Sequence, residues 1–409
     1  VKNTIWYFGL EPVKSRYTEQ LSEHWMPDAF RRIIETTGAK YQLKHVRPEV
    51  GVDEIPEDIR VGVVLDAVGR SITSLSQCMT FQKLIHAGEV KKGDIIFLQD
   101  FWTPGISSVM YTLCVYGLSD IPINAMCHAQ SVDEHDFTHS MHGWMRWYEQ
   151  GLIEWMWQTG GAIFCASTIH VHHMKNGWGD SFMPSVHVVS LPIDLHSVQA
   201  MVPLRKPVEQ RPLQMVYSSR LDPEKDPLFF ISLSREVLLS TEWTIVYTTS
   251  TKEVRAAPEI VAAMQELVDE YGDRFQVRTN QTKEEYYTTL SKSRLQINTA
   301  LQDYVSWTLL EACAMGCDIL YPNYRSFPEC VPADRLYKKQ ELSRTNGFLY
   351  RLAEVEKNPR DHYAIAAHSN LGRLMTAYLT LFPAGETFNL WASRSPFTKL
   401  VTELAKDVL

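Results

Sequence analysis

The sequence lacks most of the short patterns that declare a chemistry outright. It has no Asp-x-Asp, no GxxxxGK[ST] phosphate loop and no GxGxxG fingerprint. Those absences count against kinases, dinucleotide-dependent dehydrogenases and enzymes that hold a metal on an Asp-x-Asp pair. No run of 18 apolar residues and no signal-peptide pattern is present, so no membrane span is expected. Cysteine is sparse: the 7 residues are scattered, odd in number and contain no CxxC, which excludes a disulfide framework. They read as buried free thiols in a reducing cytoplasm. Basic residues are not in excess either. With 40 Lys and Arg against 48 Asp and Glu, the net charge of −8 argues against a protein that coats nucleic acid, though not against a local basic cleft. Histidine is dense around His170, His172 and His173. However, His170 and His173 fall on a predicted helix with no Cys or His-Glu partner, so no metal site is expected.

What the chain does have is alternation. Its 409 residues suit two domains, with 45% hydrophobic and 22% charged residues, as in ordinary globular proteins. Strands are predicted at 4–8, 41–46, 61–66, 94–99, 121–128, 162–166 and 186–191, with helices between them. The first helical pattern runs from Arg16 to about Trp25, Pro27 interrupts it, and a second helix follows. Residues 194–213 hold Pro203, Pro207 and Pro212 and lose periodicity, so the linker between domains is placed there. A second series follows: strand 214–218, helix 227–240, strand 243–248, helix 256–271, strand 274–278, helix 283–292 and strand 294–298. Such alternation means an α/β protein with two doubly wound parallel sheets. The domains are drawn at 1–195 and 213–385, with a helical tail from Asp361 onward.

Two stretches carry chemistry. In NTALQDYVSWTLLEACAMGCDILYPNYRSFPE (298–329), an apolar strand ends in a polar turn, Gln302 to Val305. Ser306 or Thr308 then caps a helix to about Met315, and Gly316 stands just past its end. A strand–turn–helix of this kind presents backbone N–H groups that suit a phosphate. Asp303 and Glu311 flank the turn, and carboxylates there can accept hydrogen bonds from sugar hydroxyls. The second stretch is SSRLDPEKDP (218–227), directly after the first strand of the second half. Arg220 and Lys225 on that loop can clamp a diphosphate, Arg by two parallel hydrogen bonds and Lys as a point charge.

The first half offers weaker candidates. Gly9 follows the first strand and would let a ligand approach the backbone. Asp100, Phe101 and Trp102 lie at a strand's carboxyl end, where open α/β sheets bind ligands. They read either as a site with a stacking surface or as a capping Asp with core aromatics. His128 ends another strand, and Asp133 and Asp136 follow in its loop, either to contact a ligand or to cap the next helix. The aromatic stripe from Trp144 to Trp157 reads as core.

The pair Asp303–x7–Glu311 with Ala312 and Gly316 resembles the motif of retaining glycosyltransferases of the GT-B fold, family 4 type, although Asp stands where that family has Glu. Arg220 and Lys225 match the same family's basic pair. The segments Arg16–Tyr17–Thr18 and Tyr324–Glu329 resemble bacteriophage glycosyltransferases of modified DNA bases, and Tyr321–Glu329 resembles tRNA-queuosine mannosyltransferases. The resemblance implies two Rossmann-like domains facing a cleft, with residues 386–409 returning as a helix to the first domain. It implies a UDP- or GDP-sugar co-substrate, no cofactor or metal, and transfer with retention. Arg220, Lys225, Asp303 and His128 would be catalytic. Gly9, Arg220, Lys225, Asp303, Tyr304, Val305, Ser306 and Glu311 would hold the donor. Arg16, Asp100, Phe101, Trp102, Asp133 and Asp136 would face the acceptor. That acceptor is expected to be a hydroxymethylated pyrimidine of phage DNA, reached through a basic strip of Lys14, Arg16 and Arg70, with cytoplasmic location in the host. Queuosine in tRNA, a small molecule or a glycan are alternatives, as is a non-catalytic module binding a nucleotide sugar or nucleic acid.

Overall fold

The computed structural model describes residues 2–12, 17–50, 67–179 and 184–369. The described residues up to 192 form one compact unit and residues 193–369 a second, each around its own six-stranded sheet. The expected strand at 61–66, Lys14, Arg16 and the tail at 386–409 lie outside the described residues.

In the first unit the strands are β1 (Asn3–Phe8), β2 (Tyr41–His45), β3 (Ile95–Leu98), β4 (Ile123–Cys127), β5 (Ala162–Cys165) and β6 (Ser185–Val188), in the order β2-β1-β3-β4-β5-β6. Every pair is parallel, with Ile5 opposite Ile95 and Leu98 opposite Ala125. A parallel sheet has helices on both faces, so its strands read as unbroken apolar runs. Accordingly β3, β4 and β5 are buried along their whole length. The chain steps from β1 to β2 and then back across β1 to β3. The winding therefore reverses between β1 and β3.

The helices of this unit include α1 (Tyr17–Glu19), α2 (Met26–Thr37), α3 (Ala67–His86), α4 (Ile106–Val115), α5 (His142–Thr159) and α6 (Thr168–Trp178). Two expectations are corrected. Pro27 does not interrupt the first helix. A π-helical stretch, Gln20–Trp25, joins α1 to α2, and the Met26 N–H reaches back to the Leu21 carbonyl. Pro27 comes just after the π-helical turn, at the start of α2. The aromatic stripe of α5 is core only in part: Tyr148 and Trp155 pack against the core, while Trp144, Trp147 and Trp157 are exposed. Met145, Glu149, Leu152, Ile153 and Met156 form the buried face, which turns Trp144 (54% exposed) and Trp147 (65%) outward. A buried carboxylate on that face was not expected. Glu149 is held by the Ser131 N–H and hydroxyl, both at 2.9 Å, and by the Trp178 indole at 3.1 Å.

The second unit opens with α7 (Leu195–Met201), so the stretch read as a featureless linker contains a helix, capped by Asp194. Its strands are β7 (Gln214–Tyr217), β8 (Thr244–Thr248), β9 (Phe275–Arg278), β10 (Leu295–Ile297), β11 (Asp318–Pro322) and β12 (Leu336–Tyr337). They lie in the order β12-β11-β10-β7-β8-β9, all parallel. The helices are α8 (Pro227–Ser240), α9 (Pro258–Tyr271), α10 (Lys283–Lys292), α11 (Trp307–Ala314), α12 (Lys339–Leu342), α13 (Gly347–Lys357) and α14 (Tyr363–His368). Here the winding runs outward from β7 to β9 and returns to β10 on the other side of β7. The reversal lies between β7 and β10. Away from that point, at the amino end of β11, the buried Asp318 is bound by Arg335 at 2.7 and 3.0 Å and by His362 at 2.9 Å. Burial works against its charge, but the hydrogen bonds from His362 and Arg335 prevail and lower its pKa.

Candidate functional site

Ligands of open α/β sheets bind beyond the carboxyl ends of the strands where the winding reverses. In the second unit, the loops at that place are the two singled out in the sequence. The loop after β7 carries Arg220 and Lys225, and the loop after β10 carries Asp303. Lys225 is buried, and its Nζ donates to the Gln302 carbonyl at 2.8 Å and to Asp303 Oδ2 at 3.4 Å. Residues 78 apart in sequence thus meet across neighbouring strands. Arg220 is one-third exposed and pairs with Asp222 and Glu224. Burial raises the pKa of Asp303 above the ordinary carboxylate range, against the pull of Lys225.

The loop from Asp303 to Ser306 is strained and braced. Val305 has φ +71°, a left-handed conformation that a β-branched residue rarely adopts. Ser326 holds it there: its hydroxyl accepts from the Val305 N–H at 2.8 Å and donates to the Asp303 carbonyl at 2.9 Å. The RSFPE segment therefore has a local task, which is to fix this loop. Strain at Val305 lets α11 start abruptly with Ser306 at its N-cap position. Ser306 does not cap the helix with its side chain; its hydroxyl pairs with that of Thr308 at 2.7 Å. By contrast, Ser167 and Thr282 do cap α6 and α10. The Ser306 side chain thus leaves the start of α11 uncapped, and the helix dipole there favours an anion. Gly316, at φ +72°, closes the helix as expected, and an added Cβ would lie 2.9 Å from the Arg211 guanidinium.

Glu311 is buried on α11, and its Oε1 already has two donors, Lys283 Nζ at 2.8 Å and Tyr287 OH at 3.0 Å. Both partners sit on α10. Lys283 also lies over the Tyr286 and Tyr287 rings, 5.4 and 5.6 Å from their centroids. Tyr286 in turn reaches Ser218 at 3.3 Å, on the loop that leads to Arg220. Sequence reasoning missed Lys283, Tyr286 and Tyr287. The only signal for them was KEEYY opening a helix, which gives no hint of a partner on α11.

In the first unit the corresponding place lies between β1 and β3. Gly9 is there, but its missing Cβ makes room for the protein itself: a Cβ would lie 2.8 Å from His45 Nε2. Asp100 and Glu11, both buried, take the guanidinium of Arg70, which is also buried. Arg70 therefore cannot belong to an exposed basic strip, because its charge is spent on two carboxylates. Burial alone would lower its pKa, but Glu11 and Asp100 raise it. His128 stands at the next strand end, its Nε2 3.0 Å from the Gln99 carbonyl. Burial lowers its pKa, so it is neutral at pH 7 with Nε2–H as the donor.

The remaining candidates each have partners within the protein. Phe101 is 1% exposed and stacks on Trp178 with centroids 5.3 Å apart, so no ligand ring can lie on it. Trp102 is partly exposed, edge-on to Tyr148 and Trp144. Asp136 caps the 3-10 turn Phe137–Met141 through the Thr138 N–H. Asp133 is buried and accepts from the His135 N–H at 3.1 Å. Among the described residues no group of three or more His, Cys, Asp and Glu could hold a metal ion.

The sequence matches no family model and no curated protein. Solved structures do resemble the chain. A sucrose-phosphate synthase from Thermosynechococcus elongatus superposes with TM-score 0.62 at 12% identity, covering 96% of this chain and all of that one. The fold is GT-B. The trehalose-6-phosphate synthase OtsA (TM-score 0.62, 10% identity) covers 93% of this chain and 99% of its own. A glycosyltransferase from Rickettsia africae (0.60, 12% identity) covers 93% and 98%. At such identities the likeness speaks for the fold.

Proposed function

We propose that this chain is a retaining glycosyltransferase that binds a nucleotide sugar on its second unit. The observation that carries the reading is the meeting of Lys225, Arg220 and Asp303 at the β7–β10 reversal, beside the uncapped start of α11. In this reading the diphosphate lies on Arg220, Lys225 and the first N–H groups of α11. These groups stabilise the charge that develops as the bond from the sugar C1 to the phosphate oxygen breaks. The acceptor oxygen bonds to C1 from the same face, and its proton passes to the leaving phosphate oxygen. Asp303 contacts the donated sugar. Glu311 presents its second oxygen to the ribose, with Lys283 and Tyr287 fixing the first.

Other structures with this fold support the class of reaction: one is a trehalose-6-phosphate synthase studied as a case of glycosyl transfer with retention, and another, from Burkholderia xenovorans, is UDP-forming. UDP-sugars are therefore the first donors to try, with GDP-sugars second and no further cofactor. For the acceptor, those names favour the hydroxyl of a phosphorylated sugar. A hydroxymethylpyrimidine of DNA is the second reading, carried by the Arg16–Tyr17–Thr18 segment, and the burial of Arg70 weakens it.

The test is incubation of the pure chain with UDP- and GDP-sugars against sugar phosphates, hydroxymethylated DNA and tRNA, read by mass spectrometry. Donor-dependent mass gain on one acceptor class, undiminished by a chelator, is the expected result. No transfer and no donor hydrolysis with any pair would overturn the enzyme reading.

A further inference from the structure

The carboxyl ends of α10 and α11 meet on one side chain, at the far end of both helices from the Asp303 loop. Arg211 is 3% exposed. One terminal nitrogen of its guanidinium donates to the Ser293 carbonyl at 3.0 Å and to the Leu290 carbonyl at 3.4 Å, both at the end of α10. The other donates to the Met315 carbonyl at 2.8 Å, at the end of α11. The Nε donates to the Lys206 carbonyl at 2.9 Å. Gly316 leaves room for the group, and Arg205 donates to the Ala314 carbonyl beside it. The acceptors of Arg211 are thus main-chain carbonyls and, at 3.9 Å, the Cys317 sulfur. The negative ends of two helix dipoles offset its charge. An apolar side chain would fill such a space at less cost in desolvation. What the planar fork adds is the ability to bond two helix ends at once.

We propose that Arg211 is a positioning residue for Glu311, acting along α10 and α11; this rests on the donor-site reading above. Nearer the amino ends of these helices, Lys283 and Tyr287 on α10 hold Glu311 Oε1 on α11 at 2.8 and 3.0 Å. Those lengths depend on how far one helix has slid along the other. With 10 residues in α10 and 8 in α11, both helices are short and stiff, so a slip at one end is carried to the other. A slide of roughly 1 Å is enough to break a hydrogen bond. Glu311 is buried, so a lost donor leaves its charge poorly compensated and its second oxygen out of place for the ribose. The clasp at the carboxyl ends therefore sets the geometry that the ligand meets at the other end.

Isothermal titration of UDP into the full chain and its variants tests the proposal. Arg211→Lys keeps the charge at the helix ends but is a point donor and loses the fork. Gly316→Ala keeps the arginine and crowds it, with a Cβ 2.9 Å from the guanidinium, and it decides the matter if Arg211→Lys does not fold. Each should weaken UDP binding about tenfold, the worth of one hydrogen bond. In a Lys283→Met background, Arg211→Lys should add less than about twofold, because both residues act through the same carboxylate. A general loosening of the unit would instead add its full effect there. Without ligand, hydrogen exchange in Arg211→Lys should speed up across residues 287–292 and 311–315 and stay unchanged in β7, β8 and α9. Wild-type affinity in both variants overturns the proposal, and so does an undiminished loss in the Lys283→Met background. A wild-type chain that binds no UDP removes the donor-site reading; unchanged exchange in α10 and α11 removes this proposal, whether or not UDP binds.

Discussion

The two units place a charged cluster at the same topological address and leave it in opposite states. Between β1 and β3, Arg70 is closed on Glu11 and Asp100, and all three side chains are buried. Between β7 and β10, Arg220 is one-third exposed, Asp303 is about one-fifth exposed, and the start of α11 is uncapped beside them. The first cluster has spent its charge on itself. The second pairs Arg220 with Asp222 and Glu224, and Lys225 with Glu224 and Asp303, and in the proposed reading a diphosphate displaces those partners. Sheet winding supplies a position for a ligand in both units; the pairing of the charges decides whether that position is open.

The comparison can be broken most forcefully in the first unit. Arg70→Met should leave two buried carboxylates uncompensated and cost about 3–5 kcal/mol of unfolding free energy, measured by urea denaturation. A loss under about 1 kcal/mol, the value of an exposed pair, would mean that the cluster is open to water.

Acid should separate the units next. Burial lowers the pKa of His128 and His187, that of His45 to about 4 and that of His170 to about 3, all in the first unit. A histidine whose folded value is depressed favours folding fully above its unfolded value near 6.5, and that support falls away as pH drops from there toward the folded value. In the second unit, the lowered Asp318 supports folding above about 3.9 and loses that support only below it. Between pH 7 and 5 the first unit should therefore lose on the order of 3 kcal/mol and the second little, read as unit-resolved hydrogen exchange. Equal loss of protection in both would contradict this.

In the second unit, Arg220→Ala or Lys225→Ala should cut turnover roughly 100-fold or more while the chain stays folded, checked by steady-state kinetics beside a thermal melt. Lys283→Met should act more mildly, raising the donor KM about tenfold with kcat changed little, as loss of ground-state binding does. Lys283→Arg should restore most of it. If kcat falls instead, Lys283 does more than position Glu311.

Much of this was legible beforehand. Strand and helix periods differ, so the βα alternation could be read directly, and α8 and α10 run Pro227–Ser240 and Lys283–Lys292 as expected because proline and a Thr282–Glu285 capping box mark their starts. Arg220, Lys225 and Asp303 were legible because each lies on the loop that directly follows a strand. The partners of Glu311 were not, since α10 meets α11 only in the folded sheet. Nor was the outward turn of Trp144 and Trp147, which follows from Glu149 being satisfied inside by Ser131 and Trp178. Arg70 looked like a surface cation because nothing near it in sequence shows Glu11 and Asp100 waiting at two strand ends.

The central claim is that the β7–β10 reversal is a diphosphate site. Isothermal titration of UDP and GDP into the wild-type chain and into Arg220→Ala tests it most directly. The account predicts one nucleoside diphosphate per chain, bound at least about tenfold more weakly once the guanidinium is gone, the loss expected for a charge-assisted hydrogen bond. Equal affinity in both proteins, or no binding of either nucleotide to the wild type at millimolar concentration, would contradict it.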